Sequence, residues 1–74
     1  MSESETKDLL EKAIEQALVY ENKVRDVYLD AVKKTEDEVG KRVFQVLADE
    51  EQGHVDYLEL KLAKLRETGT VDSG

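Results

Sequence analysis

No cysteine and no proline occur in this 74-residue chain, and glycine occurs only four times. Each absence excludes something. Without cysteine there is no disulfide framework, no iron–sulfur cluster and no thiolate zinc site, so any metal must be held by Glu, Asp or His. With no proline, little glycine and 39% charged residues, the composition suits long, solvated helices better than strands. Long apolar runs are missing too: none approaches the roughly 20 residues that span a bilayer, and no basic leader precedes a hydrophobic stretch. The expected location is therefore cytoplasmic. An excess of basic charge is also lacking. The net charge of −7 argues against nucleic acid or an anionic membrane as partner. The length allows at most one small domain.

What is present is helical periodicity in two segments. From about Glu5 to Lys34, Leu10, Ile14, Ala17, Glu21, Val24, Tyr28 and Ala31 recur at spacings of four and three, with Leu9, Ala13, Leu18, Val27 and Val32 widening the seam. From about Glu36 to Glu67, Phe44, Leu47, Glu51, His54, Leu58, Leu62 and Leu65 form a similar stripe, widened by Val43, Val46, Val55 and Tyr57. Between the segments, Thr35-Glu36-Asp37-Glu38 has the pattern of a capping box, with the Thr35 hydroxyl accepting from the Glu38 N–H. So short a connection predicts an antiparallel hairpin, with residues 1–4 and 68–74 as frayed tails. Gly40 and Gly53 lie inside the second helix at a cost of about 1 kcal/mol each relative to Ala. Gly53, beside His54, either permits close helix approach or is neutral.

Three polar residues break the apolar seams: Glu21 on the first helix, Glu51 and His54 on the second. The i, i+3 spacing of Glu51 and His54 lets both reach one point. Glu and His both bind divalent iron, manganese or zinc. Alone, E-x-x-H is a weak signal, and Glu21 alone could be a register-setting polar residue. Together they carry more weight. Glu21 lies about sixteen residues before the turn, and Glu51 and His54 about fourteen and seventeen after it, so at about 1.5 Å per residue all three share one layer. Glu50 points about 100° away from Glu51 and reads as solvated. Tyr20 and Tyr57 read as packing residues.

A lone hairpin covers only one side of each stripe. At about 25 cal/mol per Å² of apolar surface, pairing two hairpins into a four-helix bundle is the expected stabilisation. Two-fold symmetry would then gather two copies each of Glu21, Glu51 and His54, a set that balances two divalent cations.

These residues resemble the ferritin-like superfamily, in particular its rubrerythrin and encapsulated-ferritin branch. The likeness rests on Glu21 with Tyr28 seven residues later, and on Asp49-Glu50-Glu51-Gln52-Gly53-His54. It covers about Leu10 to Leu65, as a half-ferritin with a single helix pair. The resemblance implies an all-α antiparallel two-helix hairpin that dimerises into a ferritin-like four-helix bundle. It further implies a non-haem di-iron centre with two ions per dimer interface, manganese or zinc being the alternatives. Glu21, Glu51 and His54 would be the ligands and Tyr28 a phenol hydrogen-bonding near the centre. The implied activity is ferroxidase oxidation of Fe(II) by oxygen or peroxide, for iron storage or detoxification. Rubrerythrin-like peroxide scavenging with an external electron donor, and a non-catalytic helical interaction module, are the alternatives. The implied partners are a second copy, further assembly into a ring, and an enclosing encapsulin shell that would form a nanocompartment. The chain departs from the pattern in three places. It has no cysteine for a rubredoxin-like domain, no apolar docking motif near its C-terminal residues, and Tyr20 and Lys23 rather than acids beside Glu21.

Overall fold

The computed structural model describes residues 2–69, and within them it has two helices and no strand. Ser2 opens the first helix, α1 (Glu3–Lys34), by accepting the Glu5 N–H on its hydroxyl at 3.2 Å. Glu3 and Glu5 in the first turn and Lys33 and Lys34 in the last complement the helix dipole. The second helix, α2 (Glu38–Thr68), ends on Gly69, whose φ of 77° lets its N–H turn back to the Leu65 carbonyl at 2.8 Å.

The connection differs from the expected capping box. Thr35 closes α1 instead of opening α2: its N–H and its hydroxyl both donate to the Ala31 carbonyl, at 2.9 and 2.6 Å. With that hydroxyl engaged, Asp37 caps α2, accepting the Gly40 N–H at 2.7 Å. The helix therefore begins at Glu38, two residues later than Glu36. Gly40 is needed for this tight corner, since a Cβ there would lie 2.9 Å from Thr35 Cγ2 and 3.3 Å from Asp37 Oδ2. Residues 2–4, expected to fray, form the cap and first helical positions of α1, because Ser2 supplies the missing acceptor. Of the other expected tail, Thr68 ends α2 and Gly69 caps it, while Met1 and residues 70–74 lie outside the described residues.

The helices run antiparallel. Early positions of α1 meet late positions of α2, as in Glu15 with Arg66 (2.9 Å), and central positions meet each other, as in Arg25 with Gln52 (2.8 Å). The result is a rod of 53 × 20 × 15 Å, one helix layer deep. Its radius of gyration of 16.0 Å exceeds the roughly 11 Å of a compact chain of this length.

The core is small and one-sided. Ala48, Val55, Leu62 and Leu65 are buried, all on α2, and α1 buries no residue fully. Lys61 is also buried, its ammonium 5.2 Å from the centre of the Tyr57 ring. Several residues expected to widen the inward stripes do not face inward. Leu9, Val27, Val43, Val46 and Tyr57 are between half and two-thirds exposed, as are Tyr20, Val39 and Leu60, and Ala13 is exposed as well. Leu10, an expected seam residue, is 39% exposed near the open end of the hairpin. The reason is geometric: each helix meets only one neighbour, which covers a narrow stripe.

At about 100° per residue, Leu9, Tyr20 and Val27 on α1 and Val43 and Tyr57 on α2 trail the inward stripe by about a quarter to a third of a turn, while Val19, Val46 and Leu60 lie closer to the side opposite it. Because the helices are antiparallel, that shared sense of rotation puts both stripes on one side of the hairpin, the front. The rear carries polar groups. No helix among the described residues is long and apolar enough to cross a membrane.

Candidate metal centre

Glu21 occupies the inward stripe at the middle of α1, while Glu51 and His54 sit one turn apart at the middle of α2. The antiparallel register brings the three together, with ligand atoms all within 4.8 Å of one another. His54 Nδ1 is 3.4 Å from Glu51 Oε2 and 3.6 Å from Glu21 Oε2. The carboxylates are mostly shielded, their side chains 17% exposed for Glu51 and 24% for Glu21. The imidazole is 59% exposed: its Nδ1 edge turns in toward the acids while the rest of the ring opens to the front.

The electrostatics of this arrangement are unfavourable as it stands. Glu51 Oε2 is buried and has no hydrogen-bond partner, a costly condition for a carboxylate oxygen. The pKa of Glu51 is raised, first by the neighbouring Glu21 carboxyl, then by burial, with His54 pulling the other way. The pKa of His54 is also raised. Burial is the largest single influence and lowers it, but the pull of Glu51 and Glu21 together outweighs it. The cluster therefore holds protons more tightly than its free groups would. A divalent cation is the other species that can satisfy two crowded carboxylates and an imidazole.

The donor set fits such an ion in kind: two carboxylate oxygens and one imidazole nitrogen suit iron, manganese or zinc. In number it leaves at least one position of a four-coordinate ion to water, substrate or another chain. The open side is the front, where His54 emerges.

Behind the cluster lies a chain of polar contacts that sequence reading did not single out. Arg25 donates to Gln52 Oε1 at 2.8 Å and to Asp26 Oδ1 at 3.0 and 3.2 Å, and Gln52 Nε2 donates to Asp56 Oδ1 at 2.9 Å. Arg25 follows Glu21 by one turn and Gln52 follows Glu51 directly, so this bridge crosses between the helices at the height of the cluster. The available signal was two long polar side chains at matching heights on the rear edge of the seams. Tyr28 is half-buried and sits two turns beyond Glu21, about 10 Å along the axis. It is not one of the three clustered groups. Asp49 and Glu50 are exposed, as are Tyr20 and Tyr57.

No family model, no curated protein and no solved structure matches this chain.

Proposed function

We propose that this chain is half of a non-haem di-iron ferroxidase, completed when two hairpins pack front to front into a four-helix bundle. The observation that carries the reading is the convergence of Glu21, Glu51 and His54 at one height, with a buried Glu51 Oε2 that has no hydrogen bond among them. Two copies would present four carboxylates and two imidazoles, enough to hold two divalent ions without net charge.

Bound iron would supply the electron transfer from Fe(II) to oxygen or peroxide. The residues of the chain do the rest. Glu21 and Glu51 concentrate the cation and offset its charge. His54 adds a neutral nitrogen donor from the front, where the ion approaches. The apolar positions on either side of the layer keep water away and so strengthen the attraction between carboxylates and cation. The resemblance to rubrerythrins and encapsulated ferritins supports the same choice of metal and oxidant. By that resemblance Tyr28 is a phenol hydrogen-bonding near the completed centre, and an encapsulin shell is a partner.

The test is Fe(II) consumption under air, followed with a chromogenic Fe(II) chelator, for the native chain and for Glu51→Ala. The native protein should consume Fe(II) faster than buffer and the variant should not. Equal rates for the two would leave a non-catalytic helical interaction module, in which the polar layer only sets register. Metal-dependent dimerisation without oxygen consumption would point to a structural manganese or zinc site.

A further inference from the structure

Two residues on the outer edges of the hairpin are unexplained by the packing of a single chain. Gly53 stands in the interior of α2, where glycine is the least favourable residue after proline. It lies two residues from both Glu51 and Val55, so at about 100° per residue it points about 160° away from each, outward from α1. A Cβ there would meet nothing within 4 Å. Val19 is its counterpart on α1. It lies two residues from both Ala17 and Glu21, faces outward from α2 by the same count, and is 59% exposed. Neither residue is on the front, where the cluster opens.

The two are level. Glu21 and Glu51 share a layer, and Val19 and Gly53 each lie two residues from it toward the open end. The same counting sets other outward positions at equal heights. Two residues from the layer toward the turn stand Lys23 on α1 and Asp49 on α2, and nine residues toward the turn stand Asp30 and Arg42. Nine residues toward the open end, Lys12 is level with Leu60, which is 62% exposed. All five charged residues are exposed. The two outer edges therefore complement each other at every one of these heights. A side chain faces a gap, a cation an anion, an anion a cation, and the aliphatic stem of a lysine an apolar surface.

We infer that the outer edge of α1 docks along the outer edge of α2 of a second copy, side by side and without stagger, with Val19 seated in the notch left by Gly53. Lys23 then meets Asp49 of the second copy. Asp30, which also holds Lys34 at 2.8 Å, meets Arg42 of that copy. The occupant is a second copy because the complement of each edge is the other edge of the same chain. Two α2 edges cannot serve, since pairing them antiparallel about Gly53 would crowd Asp49, Glu50 and Asp56 of one copy against those of the other. The contact joins unlike edges, so each copy keeps a free edge for the next. It leaves the front uncovered and does not rest on the front-to-front pairing.

The experiment is sedimentation velocity of the full chain over a wide concentration range at physiological salt, with helical circular dichroism of every variant. The native chain should form species larger than two copies. Val43→Glu, which blocks the front, should still associate through its edges. Lys23→Glu and Asp49→Lys should each weaken the edge contact at least about 10-fold, because like charges then face one another. The double variant, with the charges exchanged, should return to within about 3-fold of the native chain. Gly53→Leu fills the notch and should weaken the contact by a similar factor, while keeping or gaining helicity. Should Val43→Glu lose helicity, the native chain decides. Single variants that match the native chain, or a double variant no better than the singles, would overturn the inference. So would a helical Val43→Glu chain that stays monomeric at every concentration, whatever the fate of the front-to-front dimer.

Discussion

The two long sides of the hairpin treat their exposed groups in opposite ways. On the rear, charged and amide side chains satisfy one another: Asp26, Arg25, Gln52 and Asp56 form a continuous chain of hydrogen bonds, Gln45 donates to Asp49 at 2.9 Å, and Arg66 reaches Glu15 at 2.9 Å and Glu11 at 4.0 Å. On the front, Leu9, Tyr20, Val27, Val43 and Tyr57 stand at least half exposed, and the one buried side-chain oxygen without a hydrogen bond among the described residues, Glu51 Oε2, sits just beneath them. Both sides belong to the same two helices, so helix formation does not explain the contrast. The rear is finished as a water-facing surface, whereas the front leaves large apolar side chains in water beside the exposed Lys23 and Glu50. The Glu21–Glu51–His54 cluster lies at the boundary, backed by the polar bridge and open toward the apolar side.

The largest effect expected from this contrast is on association. Val43→Glu places a charge on the front, and an uncompensated charge buried in an interface costs about 3–5 kcal/mol. The dimer should dissociate more than about 100-fold more readily in sedimentation, while helicity is retained. A second effect concerns the cluster. Glu51→Gln removes a ligand charge, and its Mn(II) affinity in calorimetric titration should fall beyond the roughly 10–100-fold that follows loss of a residue that merely orients a ligand. The same substitution relieves the crowding with Glu21, so the metal-free variant should melt no lower than the native chain. Opposite signs for metal affinity and metal-free stability are the signature of a site strained without its ion.

A third effect follows from protons. Glu51 and His54 both hold protons more tightly folded than unfolded. Their contribution to metal-free stability is therefore complete below their ordinary values of 4.5 and 6.5, and it is lost as pH rises through the raised folded values. Metal requires both groups deprotonated, so Mn(II) affinity should rise over the same window. Melting curves across pH with and without Mn(II) should diverge as pH increases, and parallel curves would contradict this. The smallest effect belongs to the rear. Gln52→Ala removes an exposed bridge and should change metal-free stability by no more than about 0.5 kcal/mol.

Much of this arrangement is legible in the residues. The interruptions of the two seams by Glu21 and by Glu51 with His54 place all three at one height once a short antiparallel turn is assumed, and the structure brings them together there. Periodicity could not divide the apolar residues between the hairpin contact and the front. Val43 and Tyr57 adjoin the inward stripe of α2 on a helical wheel, and the narrowness of a two-helix contact leaves them outside. The cap was misassigned for a local reason. Thr35 and Asp37 both have acceptors at cap spacing, and the choice between them depended on the Ala31 carbonyl at the end of α1, which takes the Thr35 hydroxyl as well as its N–H. The Arg25–Gln52 bridge left only two long polar side chains at matching heights as its trace, with no periodicity to pair them.

Electron paramagnetic resonance of the native chain titrated with Mn(II) tests the central claim most directly. Two facing clusters should bind one ion per chain and give the broadened spectrum of a magnetically coupled pair, appearing together with the dimer. Sharp hyperfine lines of isolated ions at saturation, or a spectrum of Mn(II) free in solution, would contradict it.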